Sequence, residues 1–208
     1  TPATATTLST YEQSDLLMAY TVTDTHKTTV GLNFRHILAQ MVVTLGTTTG
    51  ADKLTADELA TASLSVNGVK TGYTLSYTGA KSEAPATATA SGDAANITPL
   101  KKDGKFYLIA PVQNFTANSL ELVFTITIAG EAKTYTWNNA TEEVLLEAGK
   151  NANIAITVNR TGVMAGEITV KQWEDGGSTS GSAAGDDIVQ NVNISFIDVP
   201  GVLEIETG

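Results

Sequence analysis

The sequence predicts an all-β protein, a two-sheet β-sandwich body followed by a C-terminal strand-forming tail. Three observations carry that prediction. Leu120, Leu122, Phe124, Ile126 and Ile128 alternate with Glu121, Val123, Thr125 and Thr127, the period of two that a half-buried strand shows. Thr accounts for 33 of the 208 residues while charged residues make up only 16%, and the branched Cβ of Thr suits a pleated, half-exposed surface. Residues 174–185, from Glu174-Asp175-Gly176-Gly177 to Ala183-Ala184-Gly185, carry no bulky apolar side chain and read as a flexible linker between body and tail. The expected organisation is therefore a body over 1–173, a linker over 174–185 and a tail over 186–208.

Taken in chain order, Phe34, Ile37, Leu38, Met41, Val42 and Leu45 fall at helical spacing, yet Val42-Val43-Thr44 favours a strand, so pattern and propensity disagree there. Thr55-Ala56-Asp57-Glu58 has the capping-box pattern, and one short helix is expected after Thr55. Asn67-Gly68, between Leu64-Ser65-Val66 and Val69-Lys70-Thr71, signals a type I′ hairpin turn, because both residues tolerate positive φ. Residues 79–98, rich in Ala, Thr, Ser and Gly, read as a long loop with at most a weak edge strand. Strands are expected over Phe106 to Ala110, Ile154 to Val158 and Ile168 to Val170. The 120–128 strand is expected to turn at Gly130-Glu131 and return through Lys133-Thr134-Tyr135-Thr136-Trp137.

The charge is unevenly placed. Residues 1–173 hold 12 basic and 15 acidic side chains, net −3, whereas residues 174–208 hold seven acids and no Lys or Arg. No basic face is available to displace the counterions of a nucleic acid. The absence of cysteine excludes disulfide scaffolds, thiolate metal sites and cysteine nucleophiles. No apolar run reaches about 18 residues, so no helical membrane span is expected. The N-terminus shows no charged-then-apolar leader, so an export signal is expected to have been removed or to lie outside this sequence.

Catalytic patterns are equally sparse. The sequence contains no Gly-x-Ser-x-Gly elbow and no phosphate-cradling glycine loop. Its two histidines, His26 and His36, are not at metal-ligand spacing. His36 stands in an apolar stretch and is expected to be buried and hydrogen-bonded. The carboxylate pairs Asp57-Glu58, Glu142-Glu143 and Asp186-Asp187 are sequence neighbours, which cannot face each other across a cleft as glycosidase carboxylates do. Surface charge is the expected role of all three. No catalytic residue, metal site or cofactor is assigned. Trp137 and Trp173 are the two side chains able to stack on a sugar, although Trp173 closes an Ile-x-Val-x-x-Trp pattern that suits a core plug or sheet-end anchor. The Asn-x-Ser/Thr triplets at Asn96, Asn114, Asn139, Asn159 and Asn193 are expected by chance in so Thr-rich a chain.

The tail is the most informative segment. Val192, Ile194 and Phe196 alternate with Asn191, Asn193 and Ser195, and after Pro200-Gly201 Leu203 and Ile205 alternate with Glu204 and Glu206. Such a segment needs a partner, because a lone strand satisfies neither its backbone nor its apolar side chains. The partner is either the tail's own body or a groove on a neighbouring subunit. In the second case Val192, Ile194, Phe196, Val199, Leu203 and Ile205 are the expected pocket-fillers of a donor strand.

Several blocks also resemble, in order, the fimbrillin family, the pilins of type V pili. They are Tyr11-Glu12-Gln13-Ser14-Asp15-Leu16-Leu17-Met18-Ala19, Leu32-Asn33-Phe34-Arg35-His36-Ile37-Leu38-Ala39-Gln40 and Phe106-Tyr107-Leu108-Ile109-Ala110-Pro111-Val112-Gln113. Leu146-Glu147-Ala148-Gly149-Lys150 and Ile168-Thr169-Val170-Lys171-Gln172-Trp173 complete the set. The resemblance implies transthyretin-like sandwich topology and a strand, bulged, over Phe34 to Leu45. It implies a pilus subunit or tip adhesin, not an enzyme, whose partners are other pilus subunits in a homo- or hetero-polymer and a host or bacterial surface glycan or protein. It further implies export as a lipoprotein, outer-membrane association before proteolytic processing, and a final place at the cell surface. In the family the Ser-Asp-Leu and Phe-x-His motifs usually lie in mid-chain. Here they begin the chain, so this sequence is expected to correspond to a C-terminal part of the family's proteins, extended by 35 residues beyond the Trp.

Overall fold

The computed structural model describes residues 10–19, 34–77 and 86–173, all within one compact unit. The described part is an all-β sandwich with two main sheets. The first has the order β13-β12-β3-β7-β6, built from β3 (Ala39–Thr47), β6 (Leu100–Lys102), β7 (Lys105–Ala110), β12 (Lys150–Val158) and β13 (Val163–Gln172). The second has the order β10-β9-β4-β5, built from β4 (Ser63–Tyr77), β5 (Ala86–Ile97), β9 (Glu121–Ile128) and β10 (Glu131–Asn138). Two small pairs complete it, β1 (Leu17–Ala19) with β2 (Phe34–His36) and β8 (Gln113–Phe115) with β11 (Val144–Leu146). Every strand pair is antiparallel except β12 on β3, which is parallel.

The alternation read from the sequence is the alternation that builds the core. Leu122, Phe124 and Ile126 on β9 are fully buried, as are Ile154 and Ile156 on β12 and Met41 and Val43 on β3. All belong to one cluster with Leu64 and Val66 of β4 and Phe106 and Leu108 of β7. Burying each such side chain contributes about 1.5–3 kcal/mol, so the inter-sheet layer is the dominant favourable contribution. The expected helix is present as α2 (Ala56–Ala60), after a one-turn α1 (Thr10–Gln13) near the start of the described residues. Thr55 Oγ1 accepts from Glu58 N and Glu58 Oε2 accepts from Thr55 N, a closed capping box. Arg160 Nη2 then donates to the same Glu58 oxygen at 2.8 Å, fixing the short helix to the segment after β12.

Three expectations are corrected. Asn67-Gly68 is not a hairpin turn, because β4 runs straight through it and pairs with β5 on both sides. Gly68 does adopt positive φ, at 92°, but in a β-bulge. The register skips from Asn67↔Asn96 to Val69↔Ala95. The extra residue explains why Val66 and Val69, three apart, are both fully buried, since a regular strand would send them to opposite faces. Within residues 79–98 the edge strand allowed for is not weak: β5 takes 12 residues, Ala86–Ile97, out of the expected loop. An edge facing partly into solvent needs little hydrophobicity, and the small Ala86 and Ala88 bury without bulk. The β9–β10 turn is Ala129-Gly130, not Gly130-Glu131, since Glu131 already pairs with Ile128. Both turn residues have positive φ, at 51° and 85°, as a type I′ turn requires. The segment 34–45 is strand, broken at Ile37–Leu38 into β2 and β3.

Candidate functional site

The proposed donor residues Val192, Ile194, Phe196, Val199, Leu203 and Ile205 lie outside the described residues, as do Asp186-Asp187, the linker and His26. Trp137 is partly buried against the main core. Trp173 packs against a second, smaller cluster of Ile37, Leu38, Ala88 and Ile109, together with Tyr11, Leu16 and Met18. The two tryptophans therefore belong to different clusters. Asp57 and the Glu142-Glu143 pair are exposed, whereas Glu58 is partly buried by its cap and by Arg160.

The second cluster organises a site that sequence reasoning saw only as separate motifs. His36, at the end of β2, lies parallel to the indole of Trp173, with ring centroids 3.7 Å apart and planes at 10°. Its Nδ1 donates to Asp15 Oδ1 at 2.9 Å. The carboxylate can only accept, so it fixes both tautomer and ring orientation. Main-chain bonds bring the segments together. Ile37 N donates to Leu16 O, Gly149 N to Leu38 O, and Trp173 N to Gly149 O. Beside them Gln40 Nε2 donates to the Tyr11 hydroxyl, and Tyr11 packs edge-on against Tyr107 of β7. One face of His36 is covered by an indole, so it is a clasp between the start of the described chain and the end of β13. A shallow cleft of about 250 Å³, lined by Tyr11, Pro99, Tyr107 and Ile109 among others, opens nearby.

All five motif blocks noted in the sequence thus contribute to one place: Tyr11 and Asp15, His36 to Gln40, Tyr107 and Ile109, Gly149, and Trp173. Their order along the chain is the fingerprint of a structural joint. A family model described as fimbrillin-like matches residues 1–173. The chain belongs to the fimbrillin-like family. Membership points to a structural rather than an enzymatic protein. No curated protein sequence matches it. Among solved structures, the chain is similar to a candidate cell adhesion protein from Bacteroides uniformis, with 23% identity over 70% of this chain and a TM-score of 0.50. It is also similar to one from Bacteroides ovatus, with 16% identity over 70% of this chain and a TM-score of 0.45. The match covers 54% and 49% of those two chains, about half their length. The first likeness supports the sandwich fold. Among the described residues no helix is long and apolar enough to cross a membrane.

Sequence reasoning expected His36 to be hydrogen-bonded and Trp173 to be an anchor, but it did not join them. Their partners stand far off along the chain, and only the shared presence of Asp15, His36 and Trp173 in one ordered motif set hinted at it.

Proposed function

We propose that this fimbrillin-like chain is a structural subunit of a cell-surface fimbria that assembles by β-strand addition. The carrying observation is the alternation of Val192, Ile194 and Phe196 with polar neighbours, behind a Gly/Ser-rich stretch of 12 residues. Main-chain hydrogen bonds supply affinity, the alternate apolar side chains set register, and the linker, spanning at most roughly 40 Å, supplies reach. In this reading Val192, Ile194, Phe196, Val199, Leu203 and Ile205 fill pockets on a neighbouring subunit of the same or a related kind. The seven acids of residues 174–208 keep the donor soluble before it finds its acceptor. The precursor is exported and held at the outer membrane until processing, and the assembled fimbria contributes to adhesion.

Size-exclusion chromatography and thermal melting of the full chain and of a chain truncated after Gly185 test this. Strand donation predicts assemblies that disappear on truncation while the body melts as before. Intramolecular pairing predicts a monomer whose melting temperature falls on truncation. A full chain that stays monomeric at every concentration and melts like the truncated one refutes donation and leaves a non-polymerising surface adhesin module.

A further inference from the structure

β4 changes character along its length. From Ser63 to Asn67 it is a central strand, paired with β5 on one side and with β9 on the other. At Lys70, where the register with β5 shifts, a side chain bonds the main chain: Lys70 N donates to Gln113 Oε1 and Gln113 Nε2 donates to Lys70 O, both at 3.0 Å. From Gly72 to Tyr77 β4 pairs with β5 alone among the described residues. Its outer side there is an edge. Residues Thr71 to Ser76 are all exposed, with Tyr73 and Leu75 at 43% and 47%. No charge and no proline falls between Thr71 and Tyr77, although these are the usual guards of an unpaired edge.

The apolar face of this edge continues a built surface. Leu75 stands opposite Ala88 on β5, and Ala88 is fully buried in the second cluster with Ile37, Leu38 and Ile109. Leu75 and Tyr73, opposite Ala88 and Ala90, lie exposed on that same face of the sheet, where one more strand would cover them. Tyr73 and Leu75 alternate with Gly72, Thr74 and Ser76. A strand that fits must present apolar residues at alternate positions on the Tyr73–Leu75 face and neutral polar ones on the other. Asn191-Val192-Asn193-Ile194-Ser195-Phe196 has that pattern and no charge.

We infer that the outer edge of β4, Gly72 to Tyr77, is the acceptor for the Asn191–Phe196 strand of a second copy of this chain, with Gln113 marking where the acceptor ends. This rests on the donor-strand reading above and names its partner surface. Thr74 then faces the side of Asn191, Asn193 and Ser195, while Val192, Ile194 and Phe196 lie beside Tyr73 and Leu75.

The cysteine-free chain makes the test clean. A full-length Thr74→Cys protein is mixed with full-length Asn191→Cys, Asn193→Cys, Ser195→Cys or Ile194→Cys protein under mild oxidation. Opposed residues of paired strands lie within disulfide reach. The expected result is a cross-linked heterodimer for at least one of the three polar positions and none for Ile194→Cys, which faces away. A second arm uses full-length Leu75→Lys, whose exposed site leaves the melting temperature unchanged. The added charge is expected to weaken assembly about tenfold by size-exclusion titration. If truncation after Gly185 abolishes assembly but Leu75→Lys assembles normally and no heterodimer forms, donation stands and the β4 acceptor falls. If truncation leaves assembly intact, both fall. A Thr74→Cys homodimer that replaces the heterodimer assigns the edge to a second β4 and overturns the inference.

Discussion

Removing the side chain of Asn139 is expected to be among the most costly single changes in the body. Asn139 is 1% exposed, and both polar atoms of its amide are engaged. Its Oδ1 accepts from Leu120 N at 3.0 Å, and the two hydrogens of Nδ2 are shared among Phe115 O, Thr116 O and Glu142 O at 3.1, 2.8 and 2.8 Å. These bonds hold the β8–β9 connection against the β10–β11 connection and set the start of β9, where Leu120, just before the strand, and Leu122 within it are core residues. In Asn139→Ala, Thr116 O keeps its bonds from Ser119 N and Oγ, and Glu142 O lies near solvent. Leu120 N and Phe115 O are the groups left buried. Each unsatisfied buried group costs about 1–3 kcal/mol, which gives roughly 2–6 kcal/mol for the two and a fall in melting temperature of about 4–24 °C for a body of this length. Urea unfolding followed by tryptophan fluorescence gives the free energy, and Asn139→Asp serves as the informative partner. That variant keeps the acceptor for Leu120 N but points a carboxylate at three carbonyls, so it should be no more stable than the alanine variant at neutral pH. A loss below about 1 kcal/mol for Asn139→Ala would refute the reasoning, because it would mean that water or local rearrangement serves these groups equally well.

Gly68→Ala should destabilise by at least about 2 kcal/mol in chemical denaturation, since φ is 92° and an added Cβ would lie 2.3 Å from the main-chain oxygen of Ser119. Gly92→Ala, at φ 79° with open space around it, should cost only about 1 kcal/mol. The Thr55 backbone N–H, opposed by partial burial and aided by Arg160, holds the Glu58 carboxyl below its ordinary value near 4.5. The unfolded chain therefore takes up this proton first on acidification. The stability that Glu58 adds is complete above about pH 4.5 and fades as pH falls through the lowered value, so wild-type and Glu58→Gln melting curves should converge in acid and separate towards neutrality. Trp173→Ala and His36→Ala should each lower stability by about 1–3 kcal/mol, and the double variant should lose less than their sum, because the stacked pair is counted twice.

Legibility from sequence tracked how local each cause was. The β9 alternation and the Thr55–Glu58 capping box were readable because both are satisfied within a few residues of themselves. Asn67-Gly68 was misread because the dipeptide only licenses positive φ. Whether that becomes a turn or a bulge depends on whether a partner strand continues past it, and here β5 does. The three-residue gap between Val66 and Val69 was the signal available for a bulge. Residues 79–98 read as a long loop with at most a weak edge strand because Ala and Thr carry little hydrophobic pattern, and the full length of β5 is specified by its neighbour more than by itself. The clasp was invisible for a similar reason. Asp15 and His36 are 21 residues apart and Trp173 is more distant still, so no local periodicity relates them.

The clasp and the tail bear on each other through chain connectivity. Trp173 is bonded through its main chain to Gly149 and through its ring to His36, so the point at which the linker begins is fixed to the body. On the donor-strand reading proposed above, a 12-residue tether rooted there would confine the donor to a limited volume, raise its effective concentration for an acceptor within roughly 40 Å and exclude one beyond it. Loosening the root by Trp173→Ala would change that geometry without touching the donor's own side chains. Strand donation therefore predicts that Trp173→Ala alters assembly by less than deletion of the tail but by more than its effect on body stability explains. Lengthening the linker by 12 further Gly/Ser residues should leave body melting unchanged and shift the size of the assemblies. If neither change moves assembly, the fixed exit at Trp173 serves the body alone.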